Sequence, residues 1–347
     1  MKTTNIMGVV VAAALSLAAS MPASASECGL SCCIAAGVEG VGSATGVTLS
    51  LQYDTMNMKT IKQGTTKLSS AQARVADGGA PDAVPTKMVM QKYAVNVAYR
   101  HDENNAFILT IPYLINDMDM LNPAGVPMTM DTISGMGDIS LVYLHDLYKD
   151  TDFRTRQRFS VGVGVKAPTG NSKSRNATNG RLIHMMMQAG TGSWDGLFLA
   201  NGTLAFGEHD DGGAQWLLSP SLMYHMTTKN DLGYKVGNRL NYDLSARYRI
   251  TSEFNVKLDM NGVISNSDST DGTIDSSGLI AYQNPMSIID KVQNTGLHSI
   301  FISPGFQWVV TPKFIVSGEY RVPVYQKTNG VQQVTDNWFF LRATTRF

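Results

Sequence analysis

Thioethers are the chemistry-bearing groups that this sequence uses most unusually. Nineteen methionines occur in 347 residues. Many come in pairs two apart, Met56/Met58, Met88/Met90, Met118/Met120 and Met128/Met130, with Met185, Met186 and Met187 in one run. A thioether is flexible and polarizable, so a patch of them supports three kinds of behaviour. It can line a promiscuous apolar binding surface, it can select a soft ion such as Cu(I) or Ag(I) with help from a histidine, or it can fill space beneath folded loops. A spacing of two places both members of a pair on the same face of a β-strand. In that phase Met56, Met58, Met88, Met90, Met118, Met120 and Met136 would all face one interior, and Met223 and His225 would face the same region. These nine residues are the candidate ligand-binding set at the mouth of a pore.

The same inward phase carries the charges Arg100, Asp138, Lys166, Asp243, Arg247, Arg249, Lys257, Asp259, Glu319, Arg321, Arg342 and Arg346. Such residues pair across a hydrated lumen or form a ladder that tunes selectivity. Basic residues outnumber acidic ones over 238–250, which favours anions weakly. Catalysis has no comparable support. The six histidines (His101, His145, His184, His209, His225 and His298) are scattered, and no nucleophile, base and carboxylate fall into a triad spacing. Gly162-x-Gly164 and Gly190 to Gly196 lack the strand-to-helix context of a phosphate loop. The expectation is a non-enzyme without a cofactor or an assigned metal, the soft ion being the alternative.

An inward phase requires strands to hold it. In Asn241-Tyr242-Asp243-Leu244-Ser245-Ala246-Arg247-Tyr248-Arg249-Ile250 the even positions are apolar and the odd ones polar, and Phe254 to Ile264 repeats the alternation. A strand with one lipid-facing side and one wet side suits a membrane barrel better than a soluble sandwich. Twelve such strands are predicted: Gly46–Met58, Met88–His101, Ala106–Met120, Gly137–Leu147, Arg156–Ala167, Trp194–Phe206, Ala214–Thr227, Asn238–Ile250, Phe254–Ser265, Leu297–Val310, Lys313–Tyr325 and Asn337–Phe347. Connections at Asp102–Asn105, Tyr148–Thr155, Gly207–Gly213, Thr251–Glu253 and Thr311–Pro312 are short. Those at Ile61–Lys87, Leu121–Ser134, Pro168–Ser193, Asn266–Gly296 and Gln326–Asp336 are longer. That asymmetry predicts an all-β, transmembrane, antiparallel up-and-down barrel over 46–347 with both termini periplasmic.

The ends of the chain and its aromatics agree with export to an outer membrane. Met1-Lys2, the run Ile6 to Ala19 and Ala23-Ser24-Ala25 have the build of a cleavable signal over 1–25. Residues 26–45 form a small N-terminal segment, periplasmic or lumenal, that holds all three cysteines, Cys28, Cys32 and Cys33, where the export route permits a disulfide. Phe347 closes the last alternating strand and is the expected signal for the barrel assembly machinery. Tyr99, Phe107, Phe159, Trp216, Phe254, Trp308, Phe314 and Phe347 fall near turn-side strand ends in the lipid-facing phase. Tyr53, Tyr93, Tyr113, Tyr224 and Phe339 fall nearer the loop side, so two interfacial girdles are expected. A formal net charge of zero gives no reason to expect nucleic acid. The expected partners are outer-membrane lipid of a Gram-negative bacterium and a small solute.

Three stretches carry a resemblance: Ser134-Gly135-Met136-Gly137-Asp138-Ile139-Ser140-Leu141, Val163-Gly164-Val165-Lys166-Ala167-Pro168-Thr169-Gly170, and Gly190-Thr191-Gly192-Ser193-Trp194-Asp195. They resemble the outer-membrane transporter family of the meta-pathway of phenol degradation, a relative of the fatty-acid channel group. The likeness is local to residues 134–207. It implies a channel for small hydrophobic or aromatic compounds, taken up here through the methionine mouth into a polar lumen. Asn122-Pro123-Ala124, similar to an element of fatty-acid channels, is read as a turn. The alternatives are a soft-metal-binding barrel and a barrel scaffold enclosing a periplasmic partner bound through the cysteine-bearing segment.

Overall fold

The computed structural model describes residues 45–79, 82–150, 156–210, 213–271 and 287–347. The expected signal over 1–25 and the N-terminal segment up to residue 44, with its three cysteines and any partner they would hold, lie outside the described residues.

Alternation of β-branched, aromatic and aliphatic residues with polar ones produces long strands, because each strand can bury one face and present the other to an apolar surround. Twelve of them form the wall: β1 Gly46–Gln63, β2 Val84–Arg100, β3 Asn105–Leu121, β4 Ser140–Lys149, β5 Gln157–Lys166, β6 Asp195–Phe206, β7 Trp216–Met226, β8 Arg239–Arg249, β9 Phe254–Ser265, β10 Leu297–Thr311, β11 Phe314–Thr328 and β12 Val331–Arg346. Each is antiparallel to its sequence neighbour, and β12 pairs back onto β1 from Thr48↔Arg346 to Gln63↔Val331. Closure removes both sheet edges, which satisfies the backbone groups that lipid cannot. The result is a closed twelve-stranded antiparallel barrel. Among the described residues no helix is long and apolar enough to cross a membrane.

Inward and outward sides follow the predicted phase. On β1 the even positions Ser50, Gln52, Asp54, Met56 and Met58 are buried in the lumen, while Leu51 is 57% exposed on the outside. On β12 Trp338, Phe340 and Arg342 are buried, and Phe339 and Leu341 face out. Outward aromatics gather in ring contacts at both ends, Tyr53 with Tyr93 at 5.0 Å on the loop side and Phe107 with Tyr143 at 5.3 Å on the turn side.

Two expectations fail, each for a backbone reason. Gln326–Asp336 is not a long loop: β11 runs to Thr328 and β12 starts at Val331, leaving Asn329-Gly330 as a turn. The ladder there continues through Thr60, Lys62, Gln332 and Gln333, where alternation of polarity has stopped but backbone pairing has not. Met136 does not face the lumen. It pairs with Tyr113 in a short strand, Ile133–Met136, and is 45% exposed on the outer side. Tyr113 pairs with Met136 and Thr110 with Ser140, so one extra residue enters the chain around Gly137 and turns the phase over. A Cβ at Gly137 would stand 3.0 Å from Pro112 Cγ, so the glycine lets the two strands approach closely there.

Candidate functional site

Adjacent strands align the methionines in rows. Met58 pairs with Met88 and Met88 with Met118, so three inward thioethers lie side by side on β1, β2 and β3. Met56 pairs with Met90 in the next row. Directly opposed side chains have Cβ atoms about 5 Å apart, close enough for long thioethers to pack. Met56, Met58, Met88, Met118, Met120 and Met187 form one buried cluster with Ile133, Ile183 and Trp338, and Met90, Met130 and Met186 pack against it. Sequence phase alone omitted Met187 and Trp338. Met187 comes from a loop, which has no phase, whereas Trp338 has the right phase and could have been found by extending the inward count from Arg342.

Loop 167–194 supplies the cover. Its single 3-10 turn, Met185–Met187, lies over the strand methionines, and Asn116 Nδ2 donates to the Met187 carbonyl at 3.0 Å. His184 contacts Asp290, which ties this loop to 287–296. The stretches that carry the family resemblance are the loop's anchor. Asp138 accepts from Lys166 Nζ at 2.5 Å, from Gly170 N at 3.0 Å, and from Thr191 N at 3.0 Å and Oγ1 at 2.8 Å. Lys166 also reaches Asp195 at 2.8 Å, and Asp195 holds His225 at 2.8 Å. The backbones of Gly170 and Gly190 touch, so a Cβ on Gly190 would meet the Gly170 carbonyl at 2.5 Å. Two carboxylates, one lysine and two facing glycines thus fix both ends of the loop. A third fastening joins 227–238 to 266–271: Asp268 accepts from Tyr234 Oη at 2.5 Å and from Gly237 N at 2.7 Å. Burial raises the Asp268 pKa above its ordinary value despite those two bonds and nearby Arg239.

Between cover and wall lies a narrow pocket lined by Met56, Met90, Met185, Met186, Leu114, Val236 and Trp338 together with the polar residues Asp54, Gln91, Lys92, Gln188, Thr191 and Asp268. Lys92 Nζ and Asp54 Oδ2 are 3.0 Å apart, and Gln52 Nε2 donates to the same oxygen at 2.7 Å. Trp338 Nε1 donates to Asp54 Oδ1 at 3.2 Å, while the Arg321 guanidinium stacks 4.4 Å from the Trp338 ring.

The remaining predicted residues separate from this cavity. Met223 is buried in a different apolar cluster with Leu144, Leu197 and Leu199 on β4 and β6, and His225 belongs to the Lys166 anchor. The expectation that both share the methionine region is therefore corrected: β7 lies on another part of the wall, separated from β3 by β4, β5 and β6. Of the lumen charges, Arg100 pairs with Asp146 at 3.1 Å, and Lys257 bridges Asp259 at 2.7 Å and Glu319 at 3.0 Å. Glu319 also holds Arg321. Asp243 accepts from Asn261 Nδ2 at 2.7 Å, Arg342 reaches Gln52 at 3.4 Å, Arg249 donates to the Ser252 carbonyl at 3.3 Å, and Arg247 is buried. Asp54, Lys92, Asp146 and Asp195 were absent from the predicted set although their phase is inward. Among the described residues no group of three or more His, Cys, Asp or Glu side chains is placed to hold a metal ion.

Comparison with known proteins places these features in context. The family model described as the MetA-pathway of phenol degradation matches residues 73–332. Among solved structures, an outer-membrane channel from Pseudomonas putida F1 is similar at a TM-score of 0.59 and 14% identity, over 89% of this chain and 98% of that one. The monoaromatic hydrocarbon channel CymD gives 0.42 at 10% identity over 90% and 97% of the two chains. A Pseudomonas aeruginosa FadL homologue gives 0.41 at 9% identity over 87% and 90%. No curated protein sequence matches.

Proposed function

The chain belongs to the family of the MetA-pathway of phenol degradation, and from that premise we propose that it is an outer-membrane channel of a Gram-negative bacterium that passes small hydrophobic or aromatic compounds. The observation that carries the reading is the loop-covered pocket: thioethers, Leu114, Val236 and Trp338 make most of the surface it presents apolar, with Asp54, Gln91, Lys92, Gln188, Thr191 and Asp268 set among them. Methionine suits this task because its side chain adapts to ligands of different shape and makes favourable contacts with aromatic rings. In this reading the long loops face outside, both termini are periplasmic, Phe347 is read during assembly, and the paired charges below Trp338 keep the rest of the lumen wet and narrow.

Reconstitution tests it. Liposomes carrying the purified barrel are expected to take up benzyl alcohol and toluene faster than empty ones, and faster still when loop 168–193 is shortened. Uptake equal to that of empty liposomes in both cases would remove the proposal.

A second reading, soft-ion binding, is favoured by one observation, the three-strand row Met58, Met88 and Met118. It predicts Ag(I) binding that disappears when the three become leucine. Binding that survives the change would exclude this row as the site.

A further inference from the structure

On the outer wall at its loop end, Tyr242, His298 and Tyr325 form one packed strip across β8 to β11. Tyr242 Oη and His298 Nε2 are hydrogen-bonded at 2.7 Å. The phenol ring lies over Gly262 on the strand between them, where any Cβ would collide with it. The His298 ring in turn meets Tyr325 edge-on at 5.2 Å. Lys327 stands directly opposite His298 in the β10–β11 ladder and is exposed, as is Tyr325.

This strip offers donors. A phenol gives up its proton more readily than an imidazole N–H, so Tyr242 donates to Nε2 and the neutral ring keeps its own proton on Nδ1. Among the described residues, that Nδ1, the Tyr325 hydroxyl and the Lys327 ammonium hydrogen-bond to no protein atom, and no acid pairs with Lys327. A lysine gains nothing from an imidazole across the ladder, whereas an anion set on the pair would be held by a charge-assisted bond. Three donors match the three terminal oxygens of a phosphomonoester, which carries up to two negative charges at neutral pH. A phosphodiester has one charge and two free oxygens, so it answers the strip less completely.

Position decides where such a group would come from. Toward the turn end the same outward face continues as Ile300, Ile302, Val322 and Val324, the last three exposed. In the other direction β11 stops at Thr328. The donors therefore stand at the edge of the apolar band, the level at which lipid head groups lie. A soluble anion would use the donors alone, but a lipid also lays its chains on the band.

Resting on the reading that the long loops face outside, we propose that Lys327, His298 and Tyr325 form a docking site for the phosphomonoester head group of an outer-leaflet glycolipid of the lipid A type. The lipid binds the outside of the wall and takes no part in the lumen.

The folded barrel in neutral detergent, titrated with bisphosphorylated lipid A and followed by native mass spectrometry, is expected to retain the lipid. Lys327→Gln should weaken retention about tenfold, the loss of one charge-assisted bond. His298→Phe keeps the ring but not its donor, and should weaken it less. Lys87→Gln is the control: Lys87 is also exposed on the loop side but faces Asp119 across its ladder, so no change is expected. Lipid A stripped of its phosphates and phosphatidylglycerol should both bind more weakly than intact lipid A, and millimolar inorganic phosphate should not displace it. Equal retention of the stripped lipid or of phosphatidylglycerol, displacement by inorganic phosphate, an unaltered Lys327→Gln variant, or an equal loss in Lys87→Gln would each overturn the proposal. Toluene uptake by liposomes carrying Lys327→Gln is expected to match the parent. Uptake no faster than in empty liposomes for parent and variant alike would instead count against the channel reading and leave the lipid site standing.

Discussion

At its loop end the lumen is lined with thioethers and covered by folded loops, whereas at its turn end the same inward positions carry paired charges. Trp338 marks the boundary, with Met56 and the cavity on one side and Arg321 stacked on the other. The two halves fill space by different means. Thioether packing has no preferred direction, so it tolerates rearrangement around a guest. The ladder of Lys257, Asp259, Glu319 and Arg321 is directional, and its buried charges demand fixed partners.

The contrast can be broken most severely at the anchor of the cover. Lys166→Met strands Asp138 and Asp195 without their shared cation, and should cost about 3–5 kcal/mol, read as a lower denaturant midpoint and faster proteolysis within 168–193. Gly190→Ala should cost about 1–3 kcal/mol by forcing the two touching backbones apart, with the same proteolytic signature and no change at the turn end. Acidity sharpens the comparison at a third place. Because the folded state raises the Asp268 pKa, its contribution to holding 227–238 against 266–271 is complete below the ordinary carboxylate range and is lost as pH rises through the raised value. Hydrogen exchange in 227–238 should therefore quicken with pH beyond the intrinsic trend, and Asp268→Asn should flatten that excess. Replacing Met88 by Leu, which conserves volume, should cost less than about 1.5 kcal/mol. The smallest effect is expected at the turn end's outer rim, where the exposed pair Lys149–Glu103 should contribute below about 1 kcal/mol by double-mutant cycle.

Much of the wall was legible because a barrel strand obeys a rule with period two. Asn241 to Ile250 and Phe254 to Ile264 announce their faces without reference to any partner, and β8 and β9 form where expected. The rule fails where the backbone inserts a residue, as at Gly137, since one extra residue gives 133–136 the opposite phase to β4 without altering composition. It also fails where strands leave the lipid, as in Val331 to Thr335, because polarity no longer alternates there although the ladder continues.

The candidate site divides in the same way. By itself the sequence determined that the Met56, Met58, Met88, Met90, Met118 and Met120 side chains point inward, because their spacing matches the strand period and the opposite face meets lipid. Tertiary structure alone decided that they meet Met187 and Trp338 while Met223 and His225 stand apart. Loop conformation and the order of strands around a closed wall are set by contacts between residues far apart in the chain. The Asp138–Lys166–Asp195 anchor, drawn from three separate stretches, is the clearest case.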